Sequence, residues 1–166
     1  MPTTYRTADH LQPLLAEVIE AYHPDLKRYG VTFTILTAHS DPDSDKPALS
    51  VRGHAAAGQI KINNLKDRVA GLADATLLLD GDRWESWTPA QQRSLLDHEC
   101  THLVVVVKDG VVQTDDCGRP RLKIRHHDEE IGIFRDVIER HGEECLDVEA
   151  CKPLHKFLTQ QVFPYG

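Results

Sequence analysis

Long hydrophobic runs are missing from this sequence of 166 residues. The longest covers only residues 103–107, whereas a membrane-spanning helix needs about 20 apolar residues. The first residues, MPTTYRTADHLQPLL, lack an apolar segment followed by a small-residue cleavage site, which is the pattern of a secretory signal. These absences predict a cytoplasmic protein with no membrane partner.

Cysteine pairs and an excess of positive charge are also missing. The four cysteines are scattered and form no CxxC pair, which favours free thiols over a disulfide framework. The formal net charge of -7 argues against a broad surface for nucleic acid, because binding phosphates requires an excess of Lys and Arg. The length and the 40% of hydrophobic residues are typical of one soluble globular domain, which we predict to span residues 1–166.

Hydrophobic periodicity predicts both strands and helices. Apolar and β-branched residues predict strands over residues 31–36, 59–62, 75–79 and 121–125. A helix is predicted to begin at Thr88, because Thr88, Pro89 and Gln91 form the pattern of a capping box. Asp109-Gly110 between valine-rich segments predicts a β-hairpin. A further helix is predicted from Asp128 to Gly142, so the fold class is α+β.

The helix that begins at Thr88 carries the motif HECTH at residues 98–102. Residues four apart lie on one face of a helix, so His98 and His102 can direct two imidazoles at one metal ion. Glu99 is rotated by one residue from His98 and can act as a general base. This is the HExxH pattern of zinc metalloproteases. The alternative is a chance match, which has a probability of about 0.04 at this composition.

A catalytic zinc site needs a third protein ligand. The extended pattern HExxHxxGxxH is excluded, because Val105 and Lys108 occupy its Gly and His positions. If the following helix begins at Asp128, His127 and Glu130 lie on its inward side. His127, Asp128 and Glu130 therefore stay open as candidates, with His127 favoured, and a purely structural role for His127 is the alternative.

The segments LLDHECTHL and GRPRLKIRHHDEEIGIF, the DG hairpin between them and the later RHG resemble the Putative phage metallopeptidase family. The resemblance covers about residues 55–142 and implies a zincin-like fold, in which a small mixed or antiparallel sheet packs on the HExxH helix. It implies Zn²⁺ held by His98 and His102, Glu99 as the base, and His127 and Asp128 near the metal. It also implies a peptide or protein substrate and, by analogy with zincins, a substrate-binding edge strand at Ala75–Leu79.

Two further features have competing interpretations. His141 could stabilise an oxyanion during catalysis, or it could simply interact with the dipole at the end of its helix. Four basic residues form a stripe around the strand at 121–125: Arg119, Arg121, Lys123 and Arg125. Such a stripe is usually solvated, but it could contact DNA if the protein cleaved DNA-associated proteins, as SprT-like zincins do. A third functional alternative is a non-catalytic phage protein that binds a host protein and keeps zinc as a structural clamp.

Overall fold

The structure, a computed structural model, describes residues 3–127 and 133–151. Its strands are β1 (Thr4–Thr7), β2 (Phe33–His39), β3 (Ser50–Val51), β4 (His54–Ala55), β5 (Gly58–Ile62), β6 (Ala75–Asp80), β7 (Leu103–Val105), β8 (Val107–Lys108), β9 (Val111–Val112) and β10 (Leu122–Ile124). Its helices are α1 (Gln12–Tyr22), α2 (Pro24–Arg28), α3 (Leu65–Val69), α4 (Gly81–Trp84), α5 (Pro89–Thr101), α6 (Arg135–His141) and α7 (Leu146–Cys151). Within the two described ranges, no helix combines the length and the apolar character that a membrane span requires.

The largest sheet has the strand order β1-β2-β6-β5. Strand β6 pairs in parallel with β2 and antiparallel with β5, so it lies inside the sheet. Its side chains Ala75, Leu77 and Leu79 are fully buried, which explains the nearly continuous apolar sequence. The prediction that Ala75–Leu79 is the substrate-binding edge strand is therefore wrong. Strand β5 lies at the end of the described sheet, and the strand order confirms an α+β fold that is mixed rather than purely antiparallel.

Helix α5 contacts both α1 and strand β5. The predicted capping box is confirmed: Thr88 Oγ1 accepts from the Gln91 N–H at 3.2 Å, and Gln91 Oε1 accepts from the Thr88 N–H at 3.0 Å. Leu15 of α1, Leu77 of β6 and Leu96 of α5 belong to one buried core cluster. Burial of each such leucine stabilises the fold by about 1.5 to 3 kcal/mol, which fixes the helix on the sheet.

The chain turns from helix to strand directly after the motif. Helix α5 ends at Thr101, and Leu103 begins β7, as the β-branched valines predict. The predicted DG hairpin joins β8 to β9, and both Asp109 and Gly110 have positive φ, at 50° and 76°. Strand β10 then pairs antiparallel with β7, with Ile124 opposite Leu103. This pairing returns the chain to the C-terminal end of α5.

The helix predicted from Asp128 begins later than the periodicity suggests. Phe134 is extended, with φ -117° and ψ 125°, and α6 begins at Arg135. The backbone N–H of Phe134 donates to the carboxylate of Asp147 at 3.0 Å, a tertiary hydrogen bond that periodicity cannot reveal. The predicted end is confirmed, because Gly142 follows the helix with a φ of 56°. Residues 128–132 lie outside the described ranges.

Candidate metal centre

Helix α5 presents His98 and His102 on one face, with ring centroids 5.2 Å apart. His102 is the C-cap residue, so the second histidine stands where the helix gives way to β7. The ring of His102 is fixed from outside the helix, because its Nδ1 lies 2.7 Å from the carbonyl oxygen of Arg125. A carbonyl can only accept, so Nδ1 carries the proton and Nε2 keeps its lone pair available for a metal.

The third histidine, His127, lies after the end of β10 and not in a helix. The Arg125 N–H donates to the His102 carbonyl at 2.7 Å, and His127 follows two residues later. Nε2 of His127 lies 3.1 Å from Nε2 of His98, and its ring centroid lies 4.5 Å from that of His102. One ligand atom from each of the three histidines lies within 4.8 Å of the others, so the group could hold a metal ion.

The same three residues are those that the sequence analysis favoured, although the structural reason for His127 differs. His127 lies in no helix of the described ranges and follows the end of β10 by three residues. The competing candidates Asp128 and Glu130 lie outside the described residues. His127 is exposed at the surface, whereas His98 is only 8% exposed, so the group opens to solvent on the His127 side.

A carboxylate that the sequence analysis did not predict contacts His98 through the ring nitrogen Nδ1. Asp147 Oδ1 lies 2.7 Å from His98 Nδ1, and Asp147 Oδ2 accepts from the Phe134 N–H. The ring of Phe134 in turn packs against all three histidines, at centroid distances of 4.9, 4.8 and 5.1 Å for His98, His102 and His127. Hydrogen bonds of this kind fix the tautomer and the orientation of metal-binding histidines. Asp147 lies in the first turn of α7, where acidic residues are common, so its sequence position gives no signal.

Glu99 lies on the neighbouring face of α5 and is only 3% exposed. Burial raises the pKa of Glu99 to about 7, although the nearby His98 and a hydrogen bond from the Ile60 backbone both favour its ionised form. A carboxyl group whose pKa lies near neutrality can both accept and return a proton at physiological pH. The residue therefore has the protonation behaviour that a general base requires.

The two helical histidines have opposite pKa shifts. Burial lowers the pKa of His102 to about 4, so this imidazole is neutral at physiological pH, the form that binds metals. Burial also disfavours the charged form of His98, but the hydrogen bond to Asp147 and the charge of Glu99 outweigh it, so the pKa of His98 is raised. Of the two helical histidines, His98 is therefore the one whose surroundings favour the charged form.

Asp97 forms a second cluster beside the metal centre. Its side chain is completely buried and lies 2.8 Å from His23 Nε2, 2.8 Å from Arg140 Nη1 and 2.9 Å from His141 Nε2. The ring of His141 also packs edge-on against Tyr22, with centroids 5.4 Å apart. The structure thus places His141 on the Asp97 carboxylate, and its role towards an oxyanion stays a prediction.

The basic stripe around β10 is largely engaged within the chain. Arg119 forms an ion pair with the buried Asp74, with Nη2 and Oδ2 2.5 Å apart, and Arg121 Nε donates to the carbonyl oxygen of Thr114 at 3.0 Å. The guanidinium of Arg125 lies over the Phe134 ring, 5.1 Å from its centroid. Asp74 beside Arg119 and Asp136, 3.8 Å from Arg125, offset part of the positive charge, whereas Arg121 keeps its charge when it donates to a carbonyl.

The comparison with known families agrees with the motif. The family model described as Putative phage metallopeptidase matches residues 3–158 of the 166-residue chain. No curated protein and no solved structure matches the chain significantly. The family match includes β1 to β3, which the resemblance around the HExxH motif did not reach, together with the helix and the three clustered histidines. The chain therefore belongs to the Putative phage metallopeptidase family.

Proposed function

We propose that this protein is a zinc-dependent metallopeptidase with a zincin-like arrangement of sheet and metal helix. The observation that carries the proposal is the convergence of His98, His102 and His127. The 3.1 Å between the Nε2 atoms of His98 and His127 is close to the roughly 3.3 Å expected for two nitrogen ligands of a tetrahedral zinc ion. Imidazole nitrogens suit zinc, so the donor set fits the metal.

The number of groups in the cluster favours an enzyme over a structural clamp. Among the described residues the cluster has three members, which is the number that catalytic zinc sites use, whereas structural sites use four protein ligands. When bound, Zn²⁺ supplies a positive charge that polarises a substrate carbonyl and makes water more acidic. The exposed side of the cluster, at His127, is where a substrate would approach.

Glu99 is the proposed general base. Its carboxylate accepts a proton from water at one oxygen and returns it to the amine that leaves when the peptide bond breaks. The partner of this protein is accordingly a peptide or protein, and an extended segment could pair with strand β5 at the end of the sheet. We place the activity in the cytoplasm of a phage-infected host. The alternative of a protease on DNA is less favoured, because Arg119 and Arg121 are engaged within the chain.

The substitution Glu99→Gln tests this proposal. It preserves the shape of the side chain but removes the basic carboxylate, so we expect zinc content to stay at the wild-type level and cleavage to fall about 10²- to 10⁴-fold. Zinc is measured in dialysed protein, and cleavage is measured by labelling new N-termini in a bacterial lysate. Glu20→Gln, at an exposed surface position, is the matched control that should retain both zinc and cleavage.

Two outcomes would contradict the proposal. If Glu99→Gln produced the same new N-termini as the wild type, Glu99 would not be the base. If His102→Ala kept the zinc content of the wild type after dialysis, the three histidines would not be the metal site. A zinc-loaded wild type that produced no cleavage, while its zinc resisted a competing chelator, would favour the structural clamp.

A further inference from the structure

Strand β5 passes directly over the proposed general base. A Cβ atom placed on Gly58 would lie 2.7 Å from Oε1 of Glu99, 3.1 Å from Cδ and 3.2 Å from Cγ. The three nearest atoms therefore all belong to one side chain. A separation of 2.7 Å is much shorter than the usual contact distance of about 3.5 to 4.0 Å. A side chain at position 58 and the observed position of the Glu99 carboxylate exclude each other.

The requirement for glycine at this position does not arise from the backbone. Among the glycines that the structure describes, six others have positive φ but Gly58 does not, so alanine could adopt its backbone conformation without strain. Glycine inside a strand usually weakens it, because it adds conformational entropy to the unfolded chain and lacks a side chain to pack. The close approach of Glu99 is the structural feature that explains why glycine occupies this strand.

We propose that Gly58 is the positioning residue of the general base, because its missing side chain makes room for the Glu99 carboxylate. This inference rests on the proposed role of Glu99. Gly58 acts through Glu99, so it is a positioning residue and not a catalytic residue.

The substitution Gly58→Ala tests two claims separately: that a side chain at position 58 collides with Glu99, and that Gly58 positions the general base. In the wild-type background the added methyl group must displace Glu99, so we expect the thermal midpoint to fall by roughly 4 to 10 °C. In the Glu99→Ala background the obstructing carboxylate is absent, so the same substitution should leave the midpoint unchanged or raise it slightly. Glu99→Asp, which retracts the carboxylate by one methylene group, should restore part of the loss. Gln59→Ala, an exposed position on the same strand, is the control for the strand itself.

The positioning role of Gly58 is tested by measuring the zinc content of each variant and its cleavage of fluorescein-labelled casein. We expect Gly58→Ala to keep zinc at the wild-type level and KM near the wild-type value, while kcat falls about 100-fold, the effect of a misplacement near 1 Å. Failure of Gly58→Ala to fold would support the contact if Gly58→Ala with Glu99→Ala folded. An equal fall in thermal midpoint in both backgrounds, or no fall in either, would overturn the proposal, as would an unchanged kcat. If wild-type protein holds zinc but cleaves neither casein nor any protein of the lysate, the proposed activity fails, and the thermal comparison still decides whether Gly58 and Glu99 exclude each other.

Discussion

The hydrogen bond between Asp147 and His98 gives a prediction that connects the fold to the metal. We expect Asp147→Asn to weaken zinc binding while leaving all three candidate ligands in place. Asp147 makes two contacts, 2.7 Å to His98 Nδ1 and 3.0 Å from the Phe134 N–H, and both groups face a carboxylate oxygen that can only accept. An asparagine of the same shape has one accepting oxygen and one donating amide group, so it cannot satisfy both.

The magnitude follows from the two ways in which the asparagine can be placed. If the amide group faces Phe134, a buried backbone N–H loses its acceptor, which lowers the free energy of unfolding by about 1 to 3 kcal/mol. If it faces His98, Nδ1 must become the acceptor and the proton moves to Nε2, the atom that lies 3.1 Å from His127. That tautomer cannot bind a metal through Nε2. Loss of such supporting contacts weakens metal affinity about 10- to 100-fold, or roughly 1.4 to 2.7 kcal/mol.

The assay is a competition for zinc between the protein and a chromophoric chelator, with thermal unfolding of the metal-free protein measured in parallel. Asp136→Asn is the matched control, because the Asp136 side chain is 51% exposed and lies 3.8 Å from Arg125. The control should keep the zinc affinity of the wild type. If the folded Asp147→Asn protein bound zinc within a factor of two of the wild type, the reasoning that His98 depends on Asp147 would be refuted.

Three further outcomes are expected. Asp74→Asn should lower the free energy of unfolding by about 2 kcal/mol near pH 7. This loss is smaller than is usual for a broken buried ion pair, because the Arg119 side chain is 38% exposed. Burial opposes ionisation of Asp74, but hydrogen bonds from Arg119 and Thr32 lower its pKa below 3.8. The stability that the ionised Asp74 contributes is therefore present above pH 3.8 and is lost as the pH falls through the folded-state pKa. Urea unfolding of wild type and Asp74→Asn should accordingly show a smaller difference at pH 3 than at pH 7. Thr88→Ala removes the capping box, so the free energy of unfolding measured in urea should fall by about 1 kcal/mol while zinc affinity stays unchanged. A large loss of zinc affinity would contradict the view that the cap affects stability alone.

Local sequence signals predicted the elements that depend on local interactions. The capping box at Thr88 fixes the start of α5 through hydrogen bonds three residues apart, and Asp109-Gly110 fixes the hairpin through its own backbone angles. The spacing of His98 and His102 is likewise a property of one helix. Cys100, about 200° around α5 from His98, is fully buried, as two positions along one helix require. In each case the relevant partners lie within a few residues of one another in the sequence.

The elements that the sequence did not reveal depend on distant partners. Strand β1 pairs with β2 more than 25 residues away, and its exposed residues carry no hydrophobic alternation. The strand order that places β5, and not β6, at the end of the sheet is set by pairing with β2 across a long connection. The extended conformation of Phe134 depends on Asp147, 13 residues later. Periodicity reports the burial of a residue, but it does not identify the partner that causes the burial.

The contacts of Asp97 and Asp147 have a consequence for the order in which the chain can assemble. The histidines of α5 are synthesised well before Arg140, which binds Asp97, and before Asp147, which orients His98. On a ribosome, the first two histidines therefore emerge as a loosely oriented pair, and they gain their full support only when α6 and α7 have docked. We therefore expect tight binding of the proposed zinc ion to come late in synthesis, and a chain that ends before α6 should lack the proposed peptidase activity.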